Sequence, residues 1–252
     1  MKIINKIIVI ILALSYHGCV AVKKAGKDTG PKIRISPTPL SEKTAEPRYT
    51  EYNIKFEKQM FYIIHSYLLS VGGLWPWQKE FKDGEWTKWE INTQNNEPFE
   101  AELALLKTKQ QNKKWWRLAF YPENQKEMIY EVLINHNDYS FERIKVRYSN
   151  TKPHEVPVYE DLNIRKRPKI ISEESLKDKD IIEDKIRVPA GAFKTGHIIY
   201  DTGFGVEKLD IWTNEKVPGG VIKYRLGDEN EASIISSLLD YGSGARSILD
   251  SF

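Results

Sequence analysis

The chain is 252 residues long, with 29% charged, 40% hydrophobic and 12% aromatic residues, the last including seven Trp and thirteen Tyr. This is a globular composition, enough for one large all-β domain or two small ones, and it excludes collagen-like or broadly disordered chains. The net charge of +3 falls to about +1 once Lys2 and Lys6, in a segment expected to be removed, are discounted, which leaves no electrostatic footprint for nucleic acid.

Residues 1–6 carry those two lysines, residues 7–14 are an unbroken apolar run (IIVIILAL), and Ser15, Tyr16, His17, Gly18 and Cys19 follow. A charged start, a short apolar stretch and a small residue at a cleavage point describe a secretory signal. The run is far short of the ~20 residues that span a bilayer as a helix. Cys19 is the only cysteine, so no internal disulfide staples the fold. Gly18 followed by Cys19 at the end of such a run resembles the bacterial lipobox, although Tyr16 and His17 depart from its aliphatic and small residues. The resemblance implies that residues 1–18 are cut away, that the Cys19 thiol receives a diacylglycerol, and that the new amine takes a further acyl chain such as palmitate. The alternatives are ordinary cleaved secretion and an uncleaved anchor. Two or three chains hold a protein on a membrane stably, at about 0.8 kcal/mol per buried CH₂. The expected location is a bacterial envelope, the outer membrane before the inner, with the domain in the periplasm or at the cell surface.

Residues 19–50 read as the lipidated Cys and a flexible tether, with four prolines (Pro31, Pro37, Pro39, Pro47) and scattered Lys and Gly. The alternative is a first strand at residues 32–36. Residues 51–252 read as one β-rich domain. Within it, residues 52–71 are the best helix candidate, since Phe56, Met60, Ile63, Ile64, Tyr67, Leu68 and Val71 recur at three- and four-residue spacing before a Gly-Gly stop. His65 beside this stripe reads as a partly exposed or hydrogen-bonded helix residue rather than a ligand.

Period-two patterns follow at residues 86–93, 99–109, 114–121, 127–134 and 139–148, broken by Asp83-Gly84, by 110–113 and by the polar turn His136-Asn137-Asp138. Prolines end this meander at 152–158. Residues 163–186 read as a charged insertion, with Ser172–Ser175 opening a short helix or lying in a solvated loop. Strands return at 185–189, 193–200, 206–213 and 221–225, with a turn at 201–205. Val-Pro-Gly-Gly at 217–220 suits a type II turn. Residues 232–241 fit a strand or a helix. The fold class is therefore mainly β (α+β): a curved antiparallel sheet or half-barrel of roughly eight to ten strands packed on one long amphipathic helix.

The motifs VPAGAF (188–193), Ile211-Trp212, VPGGVIK (217–223) and YGSGA (241–245), with Gly84-Glu85-Trp86 and the pair Trp115, Trp116, resemble an uncharacterised family of bacterial envelope proteins over about residues 80–248. That family is similar in expected architecture to LolA/LolB-like periplasmic half-barrels. The resemblance implies a concave sheet able to hold an acyl chain, an analogy of fold that does not carry function by itself.

No phosphate loop, His-Glu-x-x-His, Cys-x-x-Cys or Gly-x-Ser-x-Gly motif is present, so neither cofactor, metal nor enzymatic activity is expected. His65, His136, His154 and His197 are far apart in sequence, and Ser243 reads as turn chemistry. The sharpest remaining signal is Trp75, Trp77, Trp86, Trp89, Trp115, Trp116 and Trp212, which line a ligand cavity or fill the core. Consecutive Trp115 and Trp116 face opposite sides of a strand. Three functions follow: a lipoprotein whose half-barrel binds a lipid or other apolar ligand; a structural or protein-interaction lipoprotein with a packed interior and an exposed apolar patch; and, least supported, an enzyme.

Overall fold

The computed structural model describes residues 51–71, 73–94, 96–122, 127–149, 151–158, 169–171, 176, 179–202, 207–228 and 231–252. The expected signal segment, Cys19, the tether with its alternative strand, the stretch 172–175 and the turn residues 203–205 lie outside these. Contacts divide the chain into two compact units, Met1–Met60 and Phe61–Phe252.

Helix α1 (Glu51–Leu68) spans the division. The first unit contributes its residues 51–60. In the second unit, Phe61, Ile63, Ile64 and Leu68 are buried at the spacing of one helical face. The Phe61 ring meets Tyr130 and Phe141 edge-on at 5.7 and 5.0 Å.

After the helix comes β1 (Leu74–Trp75). A first meander follows: β2 (Trp86–Thr93), β3 (Asn96–Lys109), β4 (Lys113–Pro122), β5 (Met128–Asn135), β6 (Ser140–Tyr148) and β7 (His154–Val156). The chain then passes β8 (Lys169–Ile170), which pairs in parallel with β1. A second meander is built from β9 (Ile182–Val188), β10 (Gly191–Asp201), β11 (Lys208–Thr213), β12 (Val221–Gly227) and β13 (Ala232–Gly242). The two meanders join where β2 pairs with β13, giving one eleven-stranded antiparallel sheet with β7 and β9 at its edges. An open sheet this wide curls. Here the β9–β10 turn returns to β13, where the Ala190 N–H donates to the Leu238 carbonyl at 3.1 Å, although β10–β12 lie between.

The protein is thus mainly β, a large curved antiparallel sheet with one long α-helix among the described residues. Two parts of the expectation are corrected. The strands number thirteen among the described residues rather than eight to ten, because β1, β7 and β8 are only two or three residues long and escape any periodicity. The helix is not a long element belonging whole to the sheet, because only residues 61–68 share its unit. Residues 232–241 resolve as strand, their burial alternating as period two requires. Part of the expected charged insertion is β9, whose Glu183, Asp184, Lys185 and Arg187 hide the period. Pro153 and Pro157 flank the edge strand β7, where a missing donor costs least.

Alternation gives the sheet two faces. The inner one is apolar, carries Trp89, Leu103, Leu118, Val132 and Tyr224, and is covered by residues 61–81. The outer one is covered over β3–β6 by residues 243–252, and among the described residues no segment crosses it over β9–β12. The turn at 217–220 fixes part of the inner cover. Pro218 sets it, Gly219 takes φ 72°, ψ −13°, and the Gly220 N–H closes it on the Val217 carbonyl at 2.9 Å. The Gly219 carbonyl then accepts from the N–H groups of Gln78 and Lys79, at 3.1 and 3.3 Å.

Candidate interaction site

The tryptophans fall into three places. Trp75, Trp77, Trp89 and Trp116 come together on the inner face in an unbroken chain of rings. Tyr139 meets Trp75 at 5.4 Å, Trp75 meets Trp116 at 6.2 Å, and Trp116 meets Phe81 at 5.2 Å. Phe81 meets Trp77 at 5.7 Å, Trp77 meets Trp89 at 5.9 Å, and Trp89 meets Tyr224 at 6.0 Å. All four indoles are buried, so these rings touch one another rather than space. Trp115 and Trp86 lie on the outer face beneath residues 243–252, packed with Ala104, Leu106, Leu133 and Ala245. Trp115 and Trp116 therefore do face opposite sides, and both sides are buried. Trp212 stands apart, on the open part of the outer face.

His136 closes one end of the inner chain. The Trp116 Nε1–H donates to its Nε2 at 2.9 Å, and an indole can only donate, so Nε2 carries no proton. Burial, aided by the Lys114 charge, pushes the imidazole down to about 4. The folded state holds His136 neutral, while the unfolded chain protonates it near its ordinary 6.5. Stability is therefore whole above about pH 6.5 and is lost as pH falls toward 4, by up to about 3 kcal/mol. His136→Gln, which keeps an acceptor for Trp116 and cannot titrate there, should flatten the change in urea midpoint between pH 7 and pH 4.5. An unchanged slope would place the acid sensitivity elsewhere. Burial also pushes Tyr67 up to about 12, and raises Tyr224, whose hydroxyl donates to the Tyr67 carbonyl at 2.8 Å.

The open outer face is organised in two cross-strand rows. The first runs Ile182, His197, Trp212, Lys223 from β9 to β12, each opposite the next in register. The second runs Ile199, Asp210, Arg225. The His197 and Trp212 rings stack at 4.3 Å and 2°, and Lys223 Nζ lies 4.9 Å over the indole from the other side. Asp184 accepts from the Trp212 Nε1–H at 3.2 Å. Asp210 joins the rows, bonded to His197 Nε2 at 2.9 Å and to Arg225 Nη1 at 3.3 Å. The indole is thus held rigid before anything meets it. On the same face Ile182 and Ile199 are 54 and 43% exposed, two of the five exposed large hydrophobic side chains among the described residues, while Ile181 turns to the other face, its Cγ2 2.8 Å from where a Cβ on Gly196 would stand. Apolar side chains gathered in this way mark a contact surface. The edge strand β9 does not invite another strand, because its charges Glu183, Lys185 and Arg187 resist edge pairing. The face is the available surface.

Sequence reasoning missed this patch because it depends on strand order. It also missed Glu131, the fully buried acid of β5, which accepts from Ser247 Oγ at 2.6 Å and from the Ile248 and Leu249 N–H groups at 2.8 and 3.4 Å. One acid inside the otherwise apolar strand MIYEVLIN was the available signal. Among the described residues, no three or more His, Cys, Asp or Glu converge on a metal site, and no helix is long and apolar enough to cross a membrane.

No family model and no curated protein matches the chain. Solved structures resemble it distantly. MucB in complex with MucA(peri) aligns at 11% identity and TM-score 0.40, over 68% of this chain and 54% of that one. The MucA/MucB complex of Pseudomonas aeruginosa aligns at 10% identity and TM-score 0.37, over 66% and 54%. An exported protein of YmcC-like fold from Bacteroides fragilis aligns at 8% identity and TM-score 0.37, over 67% and 100%. The aligned part spans about half the length of these MucB chains. At such distance the function rests on this chain's own residues.

Proposed function

We propose that this protein is a lipid-anchored, non-enzymatic component of a bacterial envelope, and that it docks a protein partner on the open outer face of β9–β12. The observation that carries the docking is the exposed pair Ile182 and Ile199 on the same face as a Trp212 ring clamped between His197 and Lys223. A rigid aromatic anchor amid apolar side chains, with charged groups beside it, has the composition of an interface hot spot. The anchor rests on Cys19 at the end of the apolar run. The lipid-carrier reading treats the curl of the sheet as a half-barrel with room among the tryptophans. The ring contacts among Trp75, Trp77, Trp89 and Trp116 favour the docking reading instead.

Two variants of the full chain test the two halves separately. Cys19→Ser should move the protein from the membrane fraction to the soluble one; if it still sediments with membranes, the anchor is wrong. Ile182→Asn with Trp212→Ala should leave the protein anchored and folded while reducing in-cell crosslinking to its envelope partner by about tenfold or more. An undiminished crosslink would overturn the docking face. Acyl lipid retained by the delipidated domain in native mass spectrometry would restore the carrier reading.

A further inference from the structure

Residues 243–252 cross the outer face of β3–β6 outside any ladder, held by side chains that reach mostly for their backbone. Arg117 Nη1 donates to the Arg246 carbonyl at 2.7 Å and Lys145 Nζ to the Asp250 carbonyl at 3.0 Å. Glu131 accepts the Ile248 and Leu249 N–H groups, and the Ala245 N–H donates to the Gly84 carbonyl at 2.9 Å. Two apolar anchors complete the hold. Leu249 is fully buried against Ala119 and Ile129, and the Phe252 ring lies 5.7 Å from that of Trp115.

We propose that this floor is a peptide-binding site, filled here by the chain's own strap, and that it accepts the same strap from a second copy of the protein. Three observations lead there, none of which depends on the docking face of β9–β12. First, the floor recognises main-chain atoms, which any chain presenting this backbone path supplies equally. Second, its chemistry is that of a separable interface. The inner face under its cover is apolar, whereas this floor sets Arg117, Glu102, Glu131, Arg143 and Lys145 around two apolar wells, groups that water resolvates when the strap leaves. Third, the strap has a glycine near its start: Gly244 takes φ 90°, a backbone freedom that L side chains rarely have, and no atom lies within 4 Å of where its Cβ would stand.

The sequence known to fit is the chain's own, which is why the occupant is a second copy. Contacts made in exchange equal those made within one chain, so the balance is set by the strap's effective concentration, about millimolar for a short connection. Exchange is then a minor population at low concentration, and a covalent trap accumulates it.

The trap uses the full chain in a Cys19→Ser background, free of other thiols. Ala119→Cys and Leu249→Cys are placed in separate proteins, mixed and mildly oxidised. The expected result is a disulfide-linked heterodimer that exceeds dimer from either protein alone, forms about tenfold faster or more when Glu131→Ala loosens the strap, and is suppressed by excess synthetic peptide of residues 243–252. If the mixture yields no more dimer than its components, while both cysteines in one chain close within the monomer, the exchange is refuted. Where Cys at 249 impairs folding, Lys109→Cys and Phe252→Cys, both exposed, joined by a bis-maleimide, give the same readout. Suppression by unrelated peptides as strong as by the strap peptide would overturn the assignment to a second copy.

Discussion

Alanine at Gly219 is expected to lower stability by about 3 kcal/mol, combining overpacking with a backbone that L-residues rarely adopt. A Cβ there would stand 2.4 Å from Phe81 Cε2 and 2.8 Å from Trp77 Cε3, and φ is 72°. Neither ring can yield, because Phe81 is wedged against Trp116 and Trp77 against Trp89. For a domain of this size the melting temperature should fall by about 6–12 °C. Gly244→Ala is the control. It carries the same kind of positive φ in open space and should cost only about 1 kcal/mol. The difference between the two, read from urea midpoints, is the packing clash alone. Equal losses would mean that the Trp77–Phe81 hook does not press on this turn.

Removing the Glu131 carboxylate should cost about 3 kcal/mol and act locally. Alanine leaves the Ser247 hydroxyl and the Ile248 and Leu249 N–H groups without their acceptor. Hydrogen exchange at residues 248 and 249 should rise by about a hundredfold, while the amides of β2 and β13 keep their protection. Glu131→Gln should recover most of the loss, since its one carbonyl still serves both N–H groups and its amide can donate to the hydroxyl of Ser247. If Gln and Ala behave alike, or if exchange rises across the whole sheet, Glu131 does not act as the latch of the strap.

Much of the sheet was legible in the sequence because its strands are amphipathic and its turns carry Gly, Pro or Asn. Residues 86–93 form β2 as the alternation demands. The opposed orientation of Trp115 and Trp116 follows from period two alone. The strand β9 was obscured by consecutive charges, which an exposed edge tolerates and a central strand does not. What each tryptophan touches was not legible. Trp115 is buried only because a segment more than a hundred residues later lies over it, and Trp212 is presented only because β10, β11 and β12 are neighbours in that register. The Asp210 bridge and the Glu131 latch likewise join residues that no local pattern connects.

The seam between β2 and β13 governs the order in which this molecule can assemble. Each meander can zip locally, hairpin by hairpin, but the ladder that unites them pairs the earliest long strand with the last. Until β13 has left the ribosome, β2 shows a bare row of N–H and C=O groups flanked by Trp89 and Ile91. Closure of so distant a pair is slow, and the waiting half-sheet is prone to stick to its neighbours. A holding chaperone that masks β2 during synthesis would therefore raise the yield of folded protein more than one acting on any strand of the second meander.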